Sequence, residues 1–236
     1  MLFLIGLGFD EKDLSLKAIE AAKNCDCYAE LYTSKWNGSL DNLKSIIGKD
    51  VRLLKRSDLE EGLHDFLNLA RQKDVAIFVP GDPLAATTHI DIALEAKRHN
   101  MEIKIIHNSS VFSAIGEAGL QLYKYGKAVT IPFSEKLDSV RDTIKANKKL
   151  GLHTLLLLDL DSELSLFMNV KDALRVLLKN KVVRMNDRLI AAHIGDQVFY
   201  DSVKNLLSKE VETPSVLIVP GKLHFKEKEF LEELHG

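Results

Sequence analysis

Val75-Ala-Ile-Phe-Val79-Pro-Gly-Asp-Pro-Leu84-Ala-Ala-Thr-Thr-His89 is the stretch whose reading decides the fold. Five apolar residues between Asp74 and Pro80 read as a strand buried on both faces, the pattern of a parallel sheet. Pro80 and Pro83 fix two φ angles, and Gly81 admits a turn that other residues resist. Asp82 precedes a proline, so its backbone is pushed toward extended geometry. Thr87 or Thr88 can cap a new helix, and Thr88-His-Ile-Asp91 approximates a capping box. A stiff loop holding one carboxylate at the carboxyl end of a strand is where open α/β sheets bind ligands. A well-made strand-to-helix turn without a ligand explains the same residues, and on the residues alone both readings stand.

Working outward, apolar strands alternate with helical patterns. Strands are expected at Leu2 to Leu7, Cys27 to Tyr32, Val51 to Leu54, Val75 to Val79 and Glu102 to His107. Helices are expected at Asp13 to Lys23, Leu43 to Ile47, Leu59 to Arg71 and His89 to His99. That alternation argues a parallel, doubly wound sheet. The second half has another texture. A helix is expected over Val111 to Leu122, then strands at Val129 to Phe133, His153 to Leu160, Arg188 to Ile194 and Ser215 to Val219. Helical stretches are expected at Val170 to Leu178, Val203 to Leu207 and Phe225 to Leu234. Leu155 to Leu158 is wholly apolar and should be central in its sheet. The boundary is placed near Asn108, giving two α/β domains over residues 1–108 and 109–236, the first mostly parallel and the second mixed.

The chain of 236 residues is 46% hydrophobic and 28% charged, a globular balance, and its net charge of −2 argues against a general nucleic-acid binder. Cys25 and Cys27 form no disulfide framework, and a lone Cys-X-Cys is weak as a metal site. Met1 to Ile5 lacks a basic region and reads as a first strand, not a signal peptide. No apolar run reaches the length of a membrane span. A soluble, cytoplasmic protein is expected.

Other motifs say less. Gly6-Leu-Gly8 begins like a dinucleotide fingerprint, but Glu11 stands where the third glycine is needed. Ser109, Ser110 and Ser113 near His107 lie in no nucleophile elbow. Asp159 and Asp161 could share a metal on one strand face, yet no third ligand is evident and no metal is assigned.

Four segments carry a family resemblance: Ile5-Gly-Leu-Gly8; Pro80 to His89; Ile106-His-Asn-Ser-Ser-Val111 running on to Gly119-Leu-Gln-Leu-Tyr-Lys-Tyr-Gly126; and Val219-Pro-Gly-Lys-Leu-His224. With Gly151 to Asp159 they resemble the diphthine synthase family, within the tetrapyrrole-methylase-like fold, over nearly the whole chain. The resemblance implies an S-adenosylmethionine-dependent methyltransferase with the cofactor in a cleft between the domains. Carried over by position, the cofactor contacts fall on Phe9, Asp82, Ala85, Ser110, Val111, Leu158, Ile194 and His224. The chain departs from the family at Ser109 and at His193-Ile-Gly195, where an Arg-X-Gly is usual. The implied acceptor is the amino group of a 3-amino-3-carboxypropyl-histidine on translation elongation factor 2, and a homodimer is implied as well. No catalytic acid or base is assigned, because methyl transfer from a sulfonium to a neutral amine needs no covalent nucleophile or metal, and orientation and exclusion of water can supply most of the acceleration. A tetrapyrrole methyltransferase of the same fold and a non-catalytic nucleotide-binding regulator are the alternatives.

Overall fold

The computed structural model describes residues 1–162 and 164–234. The chain divides into two compact units, Met1–Val111 and the remainder from Phe112.

Unit 1 runs β1 (Leu2–Gly6), α1 (Leu16–Ala22), β2 (Asp26–Glu30), α2 (Leu40–Ile47), β3 (Val51–Leu54), α3 (Arg56–Leu59), α4 (Leu63–Ala70), β4 (Val75–Val79), α5 (Ile90–Arg98) and β5 (Ile103–Ile106). The strands form one sheet in the order β3-β2-β4-β1-β5, and every pairing is parallel. All five residues of β4 are buried. Ala76 and Phe78 pack on one face with Ile5 and Cys27, while Val75, Ile77 and Val79 pack on the other with Leu2 and Leu4. Both faces are therefore covered, which is why the strand is apolar without alternation. Each large side chain so buried contributes about 1.5–3 kcal/mol. Ser15 caps α1 by accepting the Ala18 N–H, and Ser39 caps α2 by accepting the Asn42 N–H. Gly48 ends α2 in the left-handed region at φ 72°. Cys25 and Cys27 are buried free thiols.

Two expectations for unit 1 are corrected. The helix expected over Leu59 to Arg71 is shorter, α4, because Gly62 stands at its start outside helical geometry, and the short α3 that precedes it was not expected. The Thr88 capping box does not form: α5 starts at Ile90 with no side-chain cap, and the Asp91 N–H goes to the Thr88 carbonyl at 2.9 Å. Thr87 instead accepts the His89 N–H at 3.3 Å.

Unit 2 runs from α6 (Val111–Ala114), which begins on the last residue of unit 1, through β6 (Val129–Ile131), α7 (Asp138–Lys149), β7 (Thr154–Leu158), β8 (Leu160–Asp161) and β9 (Leu166–Phe167). It continues with α8 (Val170–Lys179), β10 (Arg188–His193), β11 (Gln197–Ser202), α9 (Val203–Leu206), β12 (Val216–Val219) and α10 (Phe225–Glu233). Five of its strands form a mixed sheet ordered β11-β10-β12-β7-β6. Leu155 to Leu158 lies in β7, interior but one place from the edge, and β12 is the middle strand. The helix expected over Val111 to Leu122 breaks into α6 and two short 3-10 turns, with Gly119 left-handed at φ 78°. A Cβ on Gly119 would run into the Phe230 ring, so the break is also a packing requirement. The polar helix α7 and the hairpin strand β11 were not expected from the sequence.

Candidate active site

Three loops define the site in unit 1. Strands β4, β1 and β5 are neighbours and run parallel, so the segments after Val79, Gly6 and Ile106 leave the sheet at one edge. Gly8 and Gly81 bridge two of these segments by exchanging backbone hydrogen bonds at 3.1 and 2.9 Å. Both residues are left-handed, at φ 70° and 67°. Gly6 has no room for a side chain: a Cβ there would lie 2.6 Å from the Gly81 carbonyl oxygen and 2.8 Å from the Asn108 Cβ. Close approach, not a dinucleotide fingerprint, explains the first glycine. Glu11, which breaks that fingerprint, accepts the Ser39 N–H at 2.9 Å and the Asn42 side-chain amide at 2.7 Å. It ties down the start of α2.

The Asp82 carboxylate knits the loops together. One oxygen accepts the Leu84 N–H at 3.0 Å; the other accepts the Asn108 N–H at 3.2 Å and lies 2.8 Å from His107 Nδ1. Asn108 in turn donates to the carbonyls of Gly6 at 2.9 Å and Asp13 at 3.1 Å. The Asp82 side chain is 13% exposed and the His107 ring 67% exposed. An ionised carboxylate offers about four acceptor positions, so Asp82 keeps capacity for one further donor or cation.

Around this carboxylate stand the other expected contacts of unit 1. Phe9 follows the bridged Gly8, and its N–H is held by Asp13 at 2.8 Å. Ala85 donates its N–H to the Asp82 carbonyl at 3.1 Å. Ser110 is buried against Gly81, and Val111 follows it at the start of α6.

The three expected contacts in unit 2 fall in two places. Leu158 ends β7 and Ile194 follows β10; these strands share a direction, because each pairs antiparallel with β12 between them. His224 follows β12, which points the other way, and so lies toward the opposite edge. Roughly 13 Å of strand separates the two ends of β7. His224 is the N-cap of α10, its Nδ1 accepting the Lys226 N–H at 3.3 Å. The sequence reading missed Glu227, which holds this end of the unit together. Glu227 is 1% exposed and accepts the Gln121 N–H at 3.0 Å, the His224 N–H at 2.7 Å, His153 Nε2 at 3.1 Å and the Lys124 ammonium. His153 Nδ1 accepts the Gly221 N–H at 2.9 Å, which leaves Nε2 as the protonated nitrogen facing Glu227. Burial pushes the Glu227 carboxyl up, but Lys124, the two backbone N–H groups and His153 outweigh it and hold it at about 2. The capping-box spacing His224-X-X-Glu227 at the start of a helix was the signal that could have found it.

Asp159 and Asp161 serve turns. Asp159 accepts the Leu160 and Phe133 N–H groups, both at 2.9 Å, and Asp161 accepts the Leu164 N–H at 3.0 Å. Among the described residues no cluster of three or more metal-ligating side chains occurs.

Residues 1–184 match the family of Tetrapyrrole (Corrin/Porphyrin) Methylases. The diphthine synthase of Methanococcus vannielii is 38% identical, with 99% of this chain and 98% of the relative aligned. This chain belongs to the Tetrapyrrole (Corrin/Porphyrin) Methylases family, among the diphthine synthases. The Methanocaldococcus jannaschii diphthine synthase is 36% identical over the same shares. A solved diphthine synthase structure superposes with a TM-score of 0.92 at 36% identity, covering 99% of this chain and 96% of its own. Family membership makes the chain a methyltransferase, and the two α/β units are the fold that the family shares. No helix among the described residues is long and apolar enough to cross a membrane.

Proposed function

We propose that this chain is an S-adenosylmethionine-dependent N-methyltransferase that acts on the amino group of the 3-amino-3-carboxypropyl-histidine intermediate of translation elongation factor 2. The observation that carries this reading is the near full-length likeness to diphthine synthases, together with the fixed carboxylate at the edge of the parallel sheet. The loops suit such a cofactor. Gly8 and Gly81 carry no side chain beside Asp82, and its fixed carboxylate has the charge sign that a sulfonium attracts.

When bound, the cofactor supplies an activated methyl group that a neutral amine accepts in line, with no metal and no covalent enzyme intermediate required. The residues of the chain bind and orient. Asp82 acts as hydrogen-bond acceptor and counter-charge; with its oxygens held by Leu84, Asn108 and His107 it is a fixed group, not a mobile base. The amine proton is lost to solvent. Orientation and exclusion of water can supply up to ~7–11 kcal/mol of the barrier reduction. Phe9, Ala85, Ser110 and Val111 are proposed as cofactor contacts beside Asp82. Leu158, Ile194 and His224 are proposed as contacts on the family resemblance alone. A cytoplasmic homodimer is proposed on the same ground, and light scattering at micromolar concentration tests it.

The decisive experiment incubates the protein with isotopically labelled S-adenosylmethionine and elongation factor 2 bearing the unmethylated intermediate, followed by peptide mass spectrometry. Successive methyl additions on the modified histidine are expected. Binding of the cofactor with no methylation of that residue would refute the substrate assignment.

A further inference from the structure

Beneath the Asp82 loop lies a buried acid–imidazole pair that the proposed reaction does not use. Glu30 ends β2 and is wholly buried; His89 directly precedes α5 and is 3% exposed. His89 Nε2 stands 3.6 Å from Glu30 Oε1, and neither ring nitrogen makes a closed hydrogen bond. The ring also faces the Pro83 carbonyl, the residue next to Asp82. Glu30 has other partners: Oε2 accepts the Tyr32 and Thr33 N–H groups, both at 3.1 Å, and Oε1 accepts the Thr33 hydroxyl at 2.6 Å. Arg56 acts on Glu30 from α3 and lies 5.3 Å over the Tyr32 ring; Asp58 and Glu60 act on Tyr32. The Tyr32 ring meets His89 edge-on at 6.5 Å.

We propose that Glu30 and His89 are positioning residues: they share one proton, and the imidazole tautomer this selects holds or frees the Pro80–Thr88 loop that presents Asp82 and Ala85. With Glu30 protonated, its O–H donates to His89 Nε2, so the ring proton sits on Nδ1 and can donate to the Pro83 carbonyl. With Glu30 ionised, Nε2 carries the proton and donates to the carboxylate. Nδ1 then presents a lone pair to the carbonyl oxygen, and the tie to the loop is lost. One proton leaves the carboxyl, one moves across the ring through solvent exchange, and the pair goes from neutral to a single negative charge. Burial pushes the Glu30 carboxyl up to about 7 and holds the His89 imidazole down at about 4, so the exchange falls in the neutral range and His89 stays uncharged through it. A folded carboxyl raised from 4.5 to about 7 favours the folded loop fully below pH 4.5, and that contribution is lost as pH rises through 7.

The inference rests on the reading that this loop contacts the cofactor, and two measurements separate them. Nitrogen-15 NMR of His89 in the full chain, with hydrogen exchange of residues 81–88, needs no cofactor. It should show the proton moving from Nδ1 to Nε2, and protection of the loop amides, taken relative to their intrinsic pH-dependent exchange rates, falling between pH 6 and pH 8.5. Calorimetry with S-adenosylmethionine should show affinity falling about tenfold over the same range, the worth of one hydrogen bond. In Glu30→Gln the amide always donates to Nε2, so binding at pH 8.5 should match the wild type at pH 6. His89→Phe should bind weakly with no pH step. A wild-type tautomer that does not change overturns the proposal, as does a Glu30→Gln chain that keeps the wild-type pH step. If the wild type binds no S-adenosylmethionine, the cofactor reading fails, and the NMR and exchange results still decide the role of the pair. If Glu30→Gln does not fold, the wild-type NMR and His89→Phe decide it.

Discussion

Replacing Glu227 with Gln tests the construction of unit 2. The folded carboxyl sits at about 2 against an ordinary 4.5, which corresponds to roughly 3 kcal/mol of preference for the ionised form in the folded state. Because the side chain is 1% exposed, solvent screening takes little from that figure. The sign is that of a depressed acid: the stability is fully present above pH 4.5 and is lost as pH falls through 2. Glu227→Gln should therefore lose about 3 kcal/mol at pH 7, and the gap to wild type should shrink to about half at pH 3. The choice of probe matters. The only tryptophan, Trp36, lies in unit 1, whereas Glu227 lies in unit 2. Hydrogen exchange of residues 119–126 and 220–227 in a urea series reads unit 2 directly. A loss under ~1 kcal/mol at pH 7, or a gap that stays constant from pH 7 to pH 3, would show that Glu227 is a passive buried group and not the charged hub described above.

Other substitutions separate space from strain. Gly6→Ala should cost ~2–3 kcal/mol and move the Asp82 loop, since its Cβ would meet backbone 2.6 Å away; thermal melts check it. Gly48→Ala meets nothing within 4 Å and should cost only the left-handed penalty, about 1 kcal/mol by urea titration. Asp82→Asn should weaken S-adenosylmethionine binding about tenfold or more by calorimetry while turnover at saturating cofactor falls far less; unchanged affinity with collapsed turnover would make Asp82 catalytic. His107→Ala removes an exposed partner of Asp82 and should cost less than ~1 kcal/mol in urea, with a few-fold loss in cofactor affinity.

Unit 1 was legible because a strand covered on both faces leaves a continuous apolar run, and Val75 to Val79 is such a run. The proline and glycine punctuation after it marked the loop that holds Asp82. The helix α7 was hidden by its polarity: its described buried residues are Val140, Thr143 and Asn147, too few apolar positions to show a stripe. Asn147 is buried because it bonds Lys127 and Thr154 and fills the space beside Gly126, a role that spacing alone does not announce. The strand β11 was missed because every residue from Gln197 to Ser202 is half-buried, so no alternation is visible. Strand direction was the larger gap. Reading a ligand site at every strand end holds for a parallel sheet, but β12 runs antiparallel to its neighbours and carries His224 away from Leu158 and Ile194.

Both units fix their irregular segments in the same way, with one carboxylate collecting donors that secondary structure leaves free. Asp82 gathers the N–H groups of Leu84 and Asn108 with His107; Glu227 gathers those of Gln121 and His224 with His153 and Lys124. What separates them is solvent. Glu227 is sealed and already faces a cation, so a ligand could reach it only by displacing Lys124, and its work ends in the scaffold. Asp82 is partly open, and its side-chain partner is an exposed imidazole that can turn aside. A cationic ligand that arrives at Asp82 finds a carboxylate whose position is already settled, and so does not have to order the loop at the moment of binding. The same carboxylate chemistry at two loop junctions thus serves a fold in one and a fold together with a candidate binding site in the other. The difference rests on access to solvent, 13% of the Asp82 side chain against 1% of Glu227, which no sequence motif records.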